Sequence, residues 1–153
     1  MVQFQADPAK TVRATSWFVW SLMAKYVFTE TLPSTSNFDP LYYVAGKNSK
    51  TGAHTFKAAV YNATATVPVS LTFDGVAAGT SAELTVLTGP ANVYESNEPA
   101  DPSKNVVVST VSTVKSDAAG VFKFTLPDMS VAVLTTKPEK KKRHWERAIG
   151  GGQ

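Results

Sequence analysis

The 153-residue chain has no cysteine, which excludes a disulfide framework and any thiolate metal site, while leaving the cellular compartment open. Histidine is almost as scarce. His54 and His144 stand apart, neither with a second His at ligand spacing, so each reads as a plain surface residue and no metal centre is expected. There is no Gly-rich phosphate loop, no G-x-S-x-G elbow and no H-E-x-x-H, hence no expected cofactor and no catalytic constellation. The apolar run from Trp17 to Phe28 falls short of the roughly 20 residues that span a bilayer, and the opening MVQFQADPAK lacks the apolar core of a secretory signal. Charge is sparse as well: 18% of residues are charged against 43% hydrophobic, the balance of a globular domain rather than a disordered one.

The charge that is present is unevenly placed. Residues 137–153 hold six Lys/Arg and two acids, whereas the rest of the chain has nine Lys/Arg against ten Asp/Glu. The net charge of +3 therefore belongs to the tail, and the body presents no general nucleic-acid-binding surface. The tail, KPEKKKRHWERAIGGGQ, is a separate block beyond a proline and ending in three glycines. It reads as a disordered, solvated extension; an anionic-surface or nuclear-localisation patch, or a segment foreign to the domain, are the alternatives.

Periodicity divides the remainder in two. Over residues 1–33, VQFQA alternates as a short strand and Pro8 breaks it. A helix is expected over Ser16–Phe28, with Thr15 or Ser16 able to cap it. Trp17, Trp20, Ala24 and Val27 recur at helical spacing, and Phe18, Leu22 and Met23 widen the stripe until most of the circumference is apolar, which implies burial on several sides. After the turn-rich LPSTSNFDP the period becomes two. Over residues 34–136, LYYVAGK, HTFKAAVY, TVPVSLTF, AELTVLT, NVVVSTVSTV, VFKFTL and MSVAVLTT read as about seven short strands of an antiparallel β-sandwich. Gly52 in NSKTG suits a tight turn with positive φ. Val67, Val69, Leu71 and Phe73 should face the core, and Pro68 marks an edge or a bulge.

The one dense acidic group is Glu95, Glu98 and Asp101, in NVYESNEPADPSKN. Paired carboxylates would suggest glycoside hydrolysis, yet nothing in this spacing sets two of them across a sugar, and the plain reading is a solvated loop stiffened by Pro99 and Pro102. Asn62-Ala63-Thr64 is an N-glycosylation acceptor in a turn-like setting.

Four stretches carry a resemblance: TETLP, PLYYVAGKNSKTGAHTFKAAVYN, VPVSLTFDGVAAGTSAELTVLTGP and GVFKFTLPDMSVAVLTT, preceded by QFQADPAKTVRATSWFVWSLMA. In this order and spacing they resemble the C-terminal region of fungal α-L-arabinofuranosidases of glycoside hydrolase family 51, over roughly Val2 to Thr136. The resemblance implies that residues 1–33 are the last strand–helix unit of a catalytic (β/α)₈ barrel, with Val2–Ala6 the strand and Ser16–Phe28 the helix. It implies that residues 34–136 are the jelly-roll-like sandwich that follows, and that 137–153 lie outside the family pattern. It further implies secretion and a plant cell-wall substrate with terminal arabinofuranosyl groups, cleaved with retention by two glutamates on earlier barrel strands. No position here matches either glutamate motif, so no catalytic residue is assigned; Glu30, Glu83, Glu95 and Glu98 are not substitutes. Trp17 and Trp20 would then await the barrel as packing partner, or fold back on the sandwich. The alternatives are a stand-alone carbohydrate-binding sandwich using Tyr42, Tyr43, Phe56 and Tyr61, or an interaction module using the Trp helix and tail.

Overall fold

The structure, a computed structural model, describes residues 2–3, 7–36, 40–90, 92 and 94–137. His144, the tail beyond Lys137 and most of the strand expected over Val2–Ala6 lie outside the described residues.

The chain opens with β1 (Val2–Gln3) paired antiparallel to β2 (Val12–Arg13). Between them, Pro8–Lys10 form a single 3-10 turn whose Ala9 amide donates to the Asp7 carboxylate. Helix α1 spans Thr15–Lys25. Neither Thr15 nor Ser16 is its cap. Strand β2 ends at Arg13, which leaves one residue to turn into the helix, so the cap position falls on Ala14 and the two hydroxyl residues lie inside the first turn.

Nearly all the remaining elements are strands: β3 (Glu30–Leu32), β4 (Leu41–Lys47), β5 (His54–Val60), β6 (Val67–Leu71), β7 (Ser81–Thr88), β8 (Val108–Lys115), β9 (Phe122–Leu126) and β10 (Ser130–Thr136). One sheet has the order β3-β4-β5-β10-β7-β8, and a smaller one joins β6 to β9. Every pairing is antiparallel. The last strand, β10, is the most enclosed, threaded between β5 and β7, and its VAVL sequence is buried or half-buried throughout. That is the residue choice of a strand covered on both faces.

The core lies between the two sheets. Phe56, Ala58 and Val60 from β5, Leu84 from β7 and Ala132 and Leu134 from β10 meet Val69, Phe73, Phe122 and Leu126. Phe122, Leu126 and Leu134 are fully enclosed. Val69 and Phe73 point inward with Val67 and Leu71 packed beside them, as their alternation requires. Pro68 is exposed on a strand whose one described neighbour is β9, the outer-strand setting in which a missing amide is tolerated. Gly52 has φ 72° and closes the β4–β5 turn, donating to the Asn48 carbonyl at 2.8 Å.

His54 is a correction to the sequence expectation. It is buried, its ring 5.3 Å from that of Phe73. Strand parity explains this: His54 shares the inward face with Phe56, Ala58 and Val60. The two sheets are also unequal. The pair β6–β9 covers only part of the larger sheet, and a groove of about 510 Å³ remains between β6 and the Leu32, Leu41 and Tyr43 side of β3 and β4.

Candidate functional site

The acidic residues are dispersed. Glu30 is exposed on β3. Glu83 stands on the outward face of β7, where it accepts from the Tyr26 hydroxyl and lies 4.0 Å from the Lys25 ammonium. The Tyr26 hydroxyl beside Lys25, with Glu83 behind it, raises the lysine above its ordinary value. In the β7–β8 loop Glu95 pairs with Lys104 at 3.8 Å, and Asp101 accepts from Ser103 at 2.6 Å, a bond that holds its carboxyl below the usual range. Among the described residues, Asp74 is the one acid lining the 510 Å³ groove. Among the described residues no cluster of three His, Asp or Glu could hold a metal.

The same loop is not merely solvated. Asn97, which sequence reasoning passed over, is buried and acts as its internal clasp. Its side-chain amide donates to the Arg13 carbonyl at 2.9 Å and to Asn105 at 3.2 Å, and its oxygen accepts from the Val106 amide at 2.8 Å. One side chain thus fastens the β1–β2 hairpin to the loop and places Val106 and Val107 under the helix. An Asn between two prolines on a polar loop gave no pattern from which burial could be foreseen.

The four aromatics considered for sugar binding divide by strand parity. Tyr43 and Phe56 point inward and stack at 5.6 Å. Tyr42 and Tyr61 are exposed on the outward side. Asn62 follows Tyr61 in the left-handed conformation, φ 60°, with both Asn62 and Thr64 at the surface.

The most developed feature is the outward face of the six-stranded sheet, with α1 lying across it. Phe18, Leu22, Met23 and Tyr26, at i, i+4, i+5 and i+8, bring one side of the helix onto Leu87, Val131 and Val133 and onto Val106 and Val107. The helix is also pinned at its end: Lys57 of β5 donates from its ammonium to the Met23 carbonyl at 2.8 Å, where a cation suits the negative helix terminus. Partial burial there lowers the Lys57 pKa from its ordinary value. Beyond the helix the chain crosses β4 at Gly46, and the Phe28 ring takes the place of a side chain: a Cβ on Gly46 would come within 2.2 Å of it.

Among the described residues, the opposite side of the helix has no such contacts. Trp20 is 66% and Val27 62% exposed, with exposed Ala24 between them. Trp17 is half-buried under the Arg13 guanidinium, 4.0 Å from its ring. The side of the helix that folds back on the sandwich is thus that of Phe18, Leu22, Met23 and Tyr26, whereas Trp20 faces outward. Tyr42 and Val44 are also exposed, on the outward side of β4.

Comparison with known proteins gives this arrangement a family context. The model of the α-L-arabinofuranosidase C-terminal domain matches residues 1–130. A probable α-L-arabinofuranosidase A of Aspergillus terreus (strain NIH 2624 / FGSC A1156) is 31% identical over 138 residues, which cover 88% of this chain and 20% of that protein. The arabinose-bound MgGH51 α-L-arabinofuranosidase superposes with a TM-score of 0.72 at 24% identity, over 90% of this chain and 21% of the other. The thermostable GH51 α-L-arabinofuranosidase from Thermotoga petrophila RKU-1 gives 0.68 at 17% identity, over 88% and 31%. This chain thus spans about a fifth of the length of the curated relative it matches.

Proposed function

Because the chain belongs to the α-L-arabinofuranosidase C-terminal domain family, we propose that it is the sandwich-bearing part of an enzyme that releases terminal arabinofuranosyl groups from plant cell-wall polysaccharide. Its own task in this reading is to seat a catalytic (β/α)₈ barrel, and the glycosidic bond is cut by glutamates on that barrel. One observation carries the proposal. Helix α1 is apolar on two sides, one buried against the sheet through Leu22 and the other presenting Trp20 outward, with Val27 exposed just beyond its end, as expected of a terminal barrel helix clasped between barrel and sandwich. Retaining hydrolysis needs two carboxyl groups about 5–5.5 Å apart, and the acids described above are spread over separate elements.

The test uses the 153-residue chain and a separately produced catalytic barrel of a family 51 arabinofuranosidase. Trp20→Ala should weaken capture of the barrel by about 30-fold, the loss that accompanies removal of a buried tryptophan anchor. Equal capture by the wild type and the variant would reject the surface.

A second reading has one observation in its favour. Tyr42 on β4 and Tyr61 just beyond the end of β5 stand exposed, aromatic faces on which a sugar ring could stack. Retention of the chain on an arabinoxylan gel, lost in Tyr42→Ala, would favour a binding module over a seat for the barrel.

Secretion is part of the main proposal, and Asn62 is its marker. With Asn62 and Thr64 exposed in an irregular segment after β5, the acceptor is accessible to glycan transfer. Expressed behind a secretory leader, the chain should lose apparent mass on deglycosylation, and Asn62→Gln should show no such change. An identical mass before and after treatment of the wild type counts against a glycan there.

A further inference from the structure

The two larger sheets have four outer strands, and three of them carry devices that discourage pairing. Strand β3 is three residues long, starts at Glu30 and runs into Pro33. Strand β6 bears Pro68, and β9 bears the exposed Lys123. Shortness, charge and proline are the means by which natural sheets blunt their edges. Strand β8 has none of them before its last residue. It is eight residues long, reads VSTVSTVK, and has no charge before its final lysine. Its residues 108–113 are all exposed, Val111 at 61%, and β7 is its one described neighbour.

That edge reads almost the same in both directions. About Val111, Val108 mirrors Val114, Ser109 mirrors Thr113 and Thr110 mirrors Ser112. In an antiparallel pair of identical strands these become the residues directly opposite one another. Cross-strand Val–Val and Ser–Thr neighbours are favourable combinations on a sheet face.

We propose that β8 pairs antiparallel with β8 of a second copy of this chain, with Val111 opposite Val111, joining two six-stranded sheets into one. Charge permits this register. Lys115 falls opposite Val107 of the second copy, so no two lysines meet across the contact. The contact is also isologous: each copy uses its β8 once, which closes the assembly at a dimer and prevents a growing fibre. This inference is independent of whether a barrel sits on the other face.

The absence of cysteine makes an introduced thiol a clean reporter of register. The wild-type chain should sediment as a dimer at micromolar concentration. Val111→Cys should form a disulfide-linked dimer under mild oxidation, because opposed Cβ atoms in such a pair lie about 4.5–5.5 Å apart. Ser109→Cys and Thr113→Cys should each resist cross-linking alone and cross-link when mixed. Val111→Lys, which sets two ammonium groups face to face, should keep its circular dichroism and weaken the dimer at least about tenfold. A monomeric wild type would overturn the proposal. So would cross-linking by Ser70→Cys on β6 in the same yield as Val111→Cys, or an unchanged dimer in Val111→Lys.

Discussion

At the residue scale, the loop between β7 and β8 is organised by Asn97. Its amide satisfies the Arg13 carbonyl and the Val106 amide, which would otherwise be left without those partners in a part-buried setting. Asn97→Ala should cost about 2 kcal/mol, the penalty for stranding buried polar groups, read as a lower denaturation midpoint with an unchanged m-value. A change within about 0.5 kcal/mol, typical of an exposed loop position, would show that the clasp carries no load. His54 and Asn97 mark where single-residue reading stops. His54 could have been placed inside by extending the Phe56, Ala58, Val60 parity one step back, whereas Asn97 is buried by partners 84 and 9 residues distant in sequence.

At the scale of elements, α1 separates folding from docking. Leu22 is 7% exposed and locked among Leu87, Val106, Val107 and Val133, so Leu22→Ala should destabilise the chain by about 2–4 kcal/mol, as truncation of a packed core leucine does. Trp20→Ala should leave the isolated chain within about 0.5 kcal/mol of wild type while weakening barrel capture as stated above. Thermal unfolding of the two variants checks the split, and equal destabilisation by both would mean that Trp20 is structural. The seven strands from LYYVAGK onward were legible as short runs rich in Val, Thr and aromatics, set between Gly, Pro, Asp or Asn turns. The three-residue β3 was not, since Glu-Thr-Leu is too short to show a period; its strand state comes from pairing with Ala45, Gly46 and Lys47. The helix was legible as apolar on all sides, but which stripe meets the sandwich depends on where Val131 and Val133 lie, and α1 precedes them by more than a hundred residues.

At the scale of the whole molecule, the sandwich is lopsided: six strands face two, a groove opens between β6 and β4, and the outer face carries a half-covered helix. Local alternation assigned strands to a core but said nothing of their order, so the placing of the final strand between β5 and β7 emerged only from the fold. The candidate site was legible to a similar depth. Trp17 and Trp20 drew notice as residues without an evident partner, and the structure distinguishes them: Trp17 sits under Arg13, and Trp20 is presented outward.

The most direct test is turnover of an aryl α-L-arabinofuranoside by the purified 153-residue chain. The account predicts no release of the aryl group above the uncatalysed rate. Release by the pure chain, abolished when Glu83 or Glu95 is changed to Gln, would contradict it.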